Sequence, residues 1–468
     1  MGGRAVGVLG TLVITRFLAP EVIGEVSDAA ILCLTANWIT IWGFGQYTVV
    51  HGRGDNKTEV VWHATVAYFV LGVLSIGAVA LLGHPLANAF GAPDAGKFVP
   101  LMALSVFIRR MGAMPERILT QQMNFRPSGL ALAFGEFTFT ATALPLAYAG
   151  WGGWSMIVAN VTKAIVATWI LISAAGIKSW ATPTKLHWSR FKSMLKFGVP
   201  LGIQGVAHMA SRYWDNLAIS YYFGTAPLGA YNMAYNLADI PAVQVGEQIA
   251  LVLLPSIAEL PPERRPRALE RSTALLSLVI FPLAVGLGLV AYPLISVILP
   301  ANEWQEVAPL LTVLACLSVF RPITWVLSAY MEAESKTGRL MVLEVVKVVF
   351  IVVGIGVVSQ WGLRVAAGAV GVAFGLTAIA GIAMVARHGP SLARLAAGFL
   401  QPLGACAVMA GGVWLTHKGL VAAGITHPAI YLVAEIVVGA IAYVGGALVL
   451  ARETSKDLLG LLKKALKR

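Results

Sequence analysis

The chain has 468 residues, of which 58% are hydrophobic and 12% are charged, and its mean hydropathy is +0.77. A soluble domain carries about 25% charged residues, so this composition excludes a soluble globular protein. The formal net charge of +12 would suit a nucleic-acid partner in a soluble protein. Its meaning here therefore depends on where the basic residues lie.

Apolar stretches of membrane-crossing length follow one another along the whole chain. They are continuous rather than alternating, which favours α-helices over a β-barrel. We therefore predict an all-α polytopic membrane protein with about fourteen transmembrane helices. Helices 1 to 14 are expected at residues 3–18, 24–48, 60–82, 98–118, 128–148, 151–174, 197–223, 228–257, 268–295, 307–331, 341–358, 366–386, 395–416 and 429–450.

The basic residues gather on one side of these spans. With an even number of helices, that side holds both termini, the arginine-rich loop 264–271 and the amphipathic tail 453–468. Cytoplasmic loops are enriched in Lys and Arg, so we predict that both termini are cytoplasmic and that the tail lies along the inner leaflet. The net charge then reflects topology and lipid headgroups rather than nucleic acid. The opposite loops hold little more than Lys97, Arg364 and Lys418.

Two landmarks recur six helices apart. The turn from Phe17 to Gly24 resembles the turn from Phe223 to Gly229, because each has Phe, then Pro, an aliphatic residue and Gly at the start of the next helix. Trp151-Gly152 has a counterpart in Trp361-Gly362. This predicts two six-helix lobes related by a pseudo-twofold repeat, an arrangement that suits alternating access. We expect an N-lobe at 1–175, an inter-lobe linker at 176–196, a C-lobe at 197–390, helices 13 and 14 at 391–452 and a tail at 453–468.

Ionisable residues within the spans are the best candidates for function, because charges at membrane depth are costly. Predicted helix 7 carries His208, Ser211, Arg212 and Asp215 on one face. The stripe is typical of a helix that lines a cavity, although an Arg212–Asp215 ion pair that only joins helices would explain it too. His208 is either a proton-linked switch or a packing residue.

Other deep positions leave two interpretations open. Arg16, near the end of helix 1, either faces the cavity or reaches the outer headgroups, and Asp239 either faces the cavity or makes a structural hydrogen bond. Arg109, Lys163 and Arg321 make the deep region cationic, which favours an anionic substrate. We predict a cavity lined by Arg212, Asp215, Asn216, Arg16, Arg109, Asp239, His208, Lys163 and Arg321.

Several motifs together resemble one family. The helix 7–8 region reads Ser-Arg-x-x-Asp-Asn at 211–216 and Leu-Gly-x-Tyr at 228–231, with Pro255 near the end of helix 8. The turn at 15–21, the loop at 121–126, Arg321-Pro322 and the segment 361–373 agree with it. These motifs resemble the polysaccharide transporter (Wzx-type oligosaccharide flippase) family of the multidrug/oligosaccharidyl-lipid/polysaccharide exporter superfamily. Its members usually begin with a longer basic lead, so we expect this start to be truncated or assigned late.

The resemblance implies a MATE-like fold and a function. The protein would translocate undecaprenyl-diphosphate-linked oligosaccharide units across the bacterial inner membrane for exopolysaccharide, capsule or O-antigen assembly. Arg212, with Arg16 or Arg109, would attract the diphosphate, and Asp215, Asn216 and Asp239 would bind sugar hydroxyls or position those arginines. The implied partners are the lipid-linked oligosaccharide, membrane lipids and the polysaccharide polymerase or export machinery. No cofactor is implied, and coupling to an H⁺ or Na⁺ gradient stays open.

Two other functions make different predictions about the sequence. The first is a small-molecule drug or cation antiporter of the same superfamily, which predicts functional acidic residues without the cationic excess. The second is a polysaccharide polymerase or glycosyltransferase, which requires a long loop or domain with clustered acids. The longest loops, 176–196 and 417–428, are short and poor in acids, and Cys33, Cys316 and Cys406 lie apart in apolar runs. We therefore expect no enzyme and no metal site.

Overall fold

The computed structural model describes residues 10, 12–52, 56–241, 257, 260–299, 304–334, 337–386 and 389–466. Within these ranges every regular element is a helix. The α-helices are α1 Pro20–Ile39, α2 Phe44–His51, α3 Lys57–Leu81, α4 Gly83–Ala89, α5 Val99–Met111, α6 Ala113–Gln121, α7 Arg126–Tyr148, α8 Gly153–Ala175, α9 Trp188–Phe223, α10 Thr225–Pro241, α11 Arg265–Leu289, α12 Ala291–Ile298, α13 Val307–Leu317, α14 Arg321–Ala333, α15 Thr337–Val358, α16 Leu363–Ala386, α17 Leu392–Ala422, α18 Pro428–Leu450 and α19 Arg452–Leu466. Short 3₁₀ helices lie at Pro93–Lys97, Ile177–Ser179, Pro262–Arg264, Ser318–Phe320 and Ser359–Trp361.

Ten helical stretches among the described residues are long and apolar enough to cross a membrane. The predicted all-α, multi-pass fold is therefore confirmed. Predicted helix 1 lies mostly outside the described residues. Predicted helices 4 and 7 fall on α5 with α6 and on α9. The first part of predicted helix 8 falls on α10, and its residues 242–256 lie outside the described residues. The ten stretches are Pro20–Ile39, Lys57–Leu81, Arg126–Tyr148, Gly153–Ala175, Pro262–Leu289, Val307–Glu332, Gly338–Trp361, Leu363–Ala386, Leu392–Ala422 and Pro428–Leu450.

Some predicted spans are broken rather than continuous. Predicted helix 2 is α1 followed by α2, and the backbone between them is left-handed at Trp42 (φ +45°) and Gly43 (φ +63°). Left-handed residues interrupt the i→i−4 hydrogen bonds of a helix. Predicted helix 4 divides at Gly112 into α5 and α6. A hydropathy profile depends only on side-chain types and contains no information on backbone angles. These helix breaks were therefore not predicted.

The chain forms two compact units, Met1–Gly229 and Ala230–Arg468. In the first, one buried cluster joins Leu32 of α1, Met102 of α5 and Leu217 of α9. In the second, Leu276 of α11 and Val326 of α14 lie in one buried apolar cluster. Phe281 of α11 packs in another, with Cys406 and Tyr443 of α17 and α18. The lobe boundaries expected from the sequence stay a prediction.

Candidate functional site

The polar stripe of predicted helix 7 lies on α9, which spans 36 residues. α9 begins at Trp188, so residues 188–196 extend the helix beyond the predicted span. Along the stripe the exposure changes. His208 is exposed and Arg212 is half-buried. Ser211 is buried, and its hydroxyl donates to the carbonyl oxygen of His208 at 2.9 Å.

The acid–amide pair that follows the arginine is deeply buried. Asp215 has no exposed surface, and Asn216 keeps 5% of its surface exposed. Oδ1 of Asn216 is a buried acceptor with no hydrogen-bond partner among the described residues. Buried polar atoms in proteins are usually paired, so this acceptor is an exception among the buried polar atoms of α9.

α9 packs against α1 in the first unit. Near the end of α1, Trp38 lies against Gly205, where an added Cβ atom would be 3.4 Å from the indole. One turn earlier on α1, the indole of Trp214 donates to the hydroxyl of Thr35 at 3.4 Å. Near the middle of α1, the hydroxyl of Ser220 donates to Oδ2 of Asp28 at 2.6 Å. These contacts run in opposite directions along the two helices, so the helices are antiparallel.

The two repeated turns meet where α1 begins and α9 ends. A Cβ atom at Gly24 would overlap the carbonyl oxygen of Thr225, and one at Gly229 would overlap the carbonyl oxygen of Pro20. Only glycine allows two backbones to approach so closely. We call these four residues the glycine contact.

Arg109 and Arg110 of α5 have different environments. Arg109, the predicted cavity residue, is exposed, whereas Arg110 is 6% exposed. Nε of Arg110 donates to the carbonyl oxygen of Tyr68 at 2.8 Å, and Nη1 donates to Oδ1 of Asn37 at 2.8 Å and to the hydroxyl of Thr40 at 3.0 Å. Arg110 therefore ties α5 to α1 and α3. Sequence reasoning did not separate these neighbours, although adjacent positions on a helix point about 100° apart.

Lys163 of α8 is paired with an acid. Its Nζ lies 2.7 Å from Oε1 of Glu136 on α7. Lys163 also lies over the ring of Phe139, 5.6 Å from its centroid. The positive charge that the sequence assigned to the cavity is therefore offset by a neighbouring carboxylate.

Arg321 and Asp239 are the predicted site residues that the structure brings together in the second unit. They form an ion pair in which both side chains are nearly buried. The guanidinium also lies 4.9 Å from the ring centroid of Tyr235 and 5.1 Å from that of Phe374. Cation–π contacts of this kind contribute about 0.5–2 kcal/mol each.

A second cation shares the ring of Phe374. Nζ of Lys347 lies 5.2 Å from its centroid and 2.7 Å from Oε2 of Glu344. Lys347 therefore offsets the charge of Glu344. Phe374 was not anticipated from the sequence, because its role depends on two cations that lie far from it along the chain.

The remaining candidates lie outside these groups. Arg16 is exposed in the turn before α1. Pro255, which helped to carry the family resemblance, lies outside the described residues. Among the described residues, no group of three His, Cys, Asp or Glu side chains could hold a metal ion.

The sequence is similar to those of known proteins. A family model described as "Polysaccharide biosynthesis protein" matches residues 13–309. The succinoglycan biosynthesis transport protein ExoT of Rhizobium meliloti is 25% identical over 65% of this chain and 60% of its own length. The lipopolysaccharide biosynthesis protein WzxC of Escherichia coli is 19% identical over 79% of this chain and 74% of its own length. The match to ExoT thus spans less than two thirds of that relative.

Solved structures show the same fold. A lipid II flippase, MurJ, in an inward closed conformation has a TM-score of 0.77 and 16% identity, covering 96% of this chain and 97% of its own. A multidrug resistance MATE family transporter of the MOP superfamily, in an inward-facing conformation, has a TM-score of 0.67 and 16% identity, covering 84% and 94%. The fold is therefore MATE-like. Since the matched family region covers more than half of the chain, the protein belongs to the polysaccharide biosynthesis protein family.

Proposed function

We propose that this chain is a flippase rather than an enzyme. It would carry undecaprenyl-diphosphate-linked oligosaccharide units across the bacterial inner membrane for exopolysaccharide, capsule or O-antigen assembly. The observation that carries the proposal is a fold that matches a lipid II flippase over 96% of the chain, in a member of a polysaccharide biosynthesis family. The names of ExoT and WzxC point to the same class of substrate.

The head of such a substrate is a diphosphate with sugars attached, so its site needs cations and hydrogen-bonding groups at membrane depth. Lys163 and Arg321 are paired with acids. We assign the proposed attraction for the diphosphate to Arg212, with Arg16 or Arg109. Arg212 is half-buried on a helix that also carries buried Asp215 and Asn216. A guanidinium can bind a phosphate through two parallel hydrogen bonds.

Transport would proceed by alternating access between the predicted six-helix lobes, 1–175 and 197–390. With both termini in the cytoplasm, α1 begins and α9 ends on the outer side of the membrane. The glycine contact then closes the outer side, and its opening would release the sugar head. Membrane lipids and the polysaccharide polymerase or export machinery are the partners that this proposal implies.

Deletion of the gene tests the proposal. Lipid-linked repeat units should accumulate on the cytoplasmic leaflet, and the wild-type chain should restore their transfer. Arg212→Gln should not, whereas Arg364→Gln should, because Arg364 is an exposed residue that pairs with the exposed Glu306. Normal polymer without trapped repeat units, together with efflux of small cationic dyes, would favour the drug or cation antiporter instead.

A further inference from the structure

Asp28 is a carboxyl group enclosed in the contact between α1 and α9. It keeps 1% of its surface exposed, as does Ser220, which donates to its Oδ2 at 2.6 Å. Its other oxygen, Oδ1, is buried and has no hydrogen-bond partner among the described residues. Gly24 lies one helical turn earlier on the same face of α1, so Asp28 lies next to the glycine contact.

The nearby lysine forms ion pairs with acids other than Asp28. Lys97 lies 3.2 Å from Glu25 and 3.8 Å from Asp94, and no ion pair reaches Asp28 within the described ranges. The titratable and charged groups on α1 and on the elements packed against it are Glu21, Glu25 and Cys33 of α1, Arg190, Lys192, Lys196, His208, Arg212, Tyr213, Asp215, Tyr221 and Tyr222 of α9, Asp94 and Lys97 of the 3₁₀ helix, His84 of α4, Arg109 and Arg110 of α5, Lys57, Glu59, His63 and Tyr68 of α3 and Lys163 of α8.

An ionised carboxylate is costly in such a place. Enclosing a charge without an ionic partner is strongly unfavourable, whereas a neutral acid behaves as an ordinary polar group. We infer that Asp28 is a proton-binding site whose occupancy is linked to the glycine contact. The carboxylate takes up one proton on Oδ1 when the contact closes, while Oδ2 keeps the hydrogen bond from Ser220. It releases that proton when the contact opens to water.

The linkage fixes the direction of the pH effect. The closed form holds one more proton than the open form, so raising the pH favours opening. Above the ordinary titration range of an exposed aspartate, the ratio of closed to open forms falls by up to about tenfold per pH unit. In a chain that flips lipid-linked sugars, which is the proposed function on which this step rests, acid on the outer side would promote closing after release.

Hydrogen exchange of the full-length protein in nanodiscs tests the inference. Exchange in segments 20–39 and 212–229, corrected for intrinsic rates, should be several-fold faster at pH 8 than at pH 6 in the wild type. Asp28→Asn, which mimics the neutral acid, should exchange slowly at both pH values. The matched control is Asp94→Asn, because the side chain of Asp94 is 71% exposed; it should behave like the wild type.

A second variant keeps the test independent of how well Asp28→Asn folds. Gly24→Ala should exchange rapidly at both pH values, because the contact cannot close. A pH response that survives in Asp28→Asn or Gly24→Ala, or that is missing from the wild type, overturns the inference. None of these measurements involves a substrate, so failure of the proposed flippase function would leave their outcomes unchanged.

Discussion

Gly24 and Gly229 hold equivalent places in two repeated turns, and each lies against the backbone of the turn that carries the other. Gly24 faces the carbonyl oxygen of Thr225, and Gly229 faces that of Pro20. Pro20 and Thr225 precede their glycines by the same number of residues. The contact is therefore reciprocal, as in interfaces with twofold symmetry. A repeat inferred from weak sequence similarity thus has a physical counterpart in the packing.

Adding one methyl group at either glycine of the glycine contact should impair transport. Gly24→Ala or Gly229→Ala should prevent the backbones from meeting, because the obstructing atom is a main-chain oxygen that cannot rotate away. Overpacking of this kind costs about 1–3 kcal/mol, so the closed form should become rare and transport should fall. The measurement is transfer of lipid-linked repeat units in the deletion strain. Gly77→Ala is the control, since nothing lies within 4 Å of an added Cβ atom there; equal activity of all three variants would contradict the prediction.

Substitutions at Arg110 and at the neighbouring Arg109 should differ in their effect on stability. Arg110→Ala removes a buried side chain and the hydrogen bonds that it donates to Tyr68, Asn37 and Thr40. Each hydrogen bond to a charged group is worth about 1.5–3 kcal/mol. We expect a markedly lower melting temperature for Arg110→Ala in detergent. Arg109→Ala should melt like the wild type, because Arg109 is exposed. Similar melting temperatures for the two variants would show that the contacts of Arg110 are not stabilising.

The Arg321–Asp239 ion pair should behave as a coupled unit. Removing one partner of a buried pair costs about 3–5 kcal/mol because an uncompensated charge remains. Arg321→Gln and Asp239→Asn should each lower the melting temperature, and the double variant should recover part of the loss. A double-mutant cycle measures this coupling. Purely additive losses would indicate that the two side chains act independently.

The predicted orientation can be tested with two engineered cysteines. Lys418 follows the apolar part of α17, and Lys456 lies on α19; both are exposed. In intact spheroplasts a membrane-impermeant thiol reagent should label Lys418→Cys, and it should label Lys456→Cys only after permeabilisation. The reverse pattern would place both termini outside and would assign the glycine contact to the cytoplasmic side.

Ion pairs join helices on the predicted cytoplasmic side. Nε of Arg190 lies 3.2 Å from Oε1 of Glu59, and the carboxylate raises the pKa of the Arg190 guanidinium above its ordinary value. Nε of Arg271 lies 2.6 Å from Oδ2 of Asp457, which holds α19 against α11. Basic residues on the predicted cytoplasmic side thus also join helices.

Hydropathy located the membrane helices because a crossing needs about 20 apolar residues and little else. It missed the breaks at Trp42 and Gly43 and at Gly112, since a helix break depends on backbone angles that an apolar stretch does not encode. The site was predicted less completely. The pairing of Arg321 with Asp239 and of Lys163 with Glu136 joins residues far apart in sequence, and only the packing of helices brings them together. The hydrogen bond from Ser220 to Asp28 likewise joins residues far apart in sequence.

The central claim, that this chain flips lipid-linked sugars, is tested most directly in liposomes. Purified protein would be reconstituted with a polyprenyl-diphosphate oligosaccharide, and an impermeant glycosidase added outside would report how much substrate reaches the outer leaflet. The account predicts transfer by the wild type and by Arg364→Gln, and a loss of about tenfold or more for Arg212→Gln, equivalent to one charge-assisted hydrogen bond. Absence of transfer by an intact, folded chain that carries small cationic dyes would contradict it.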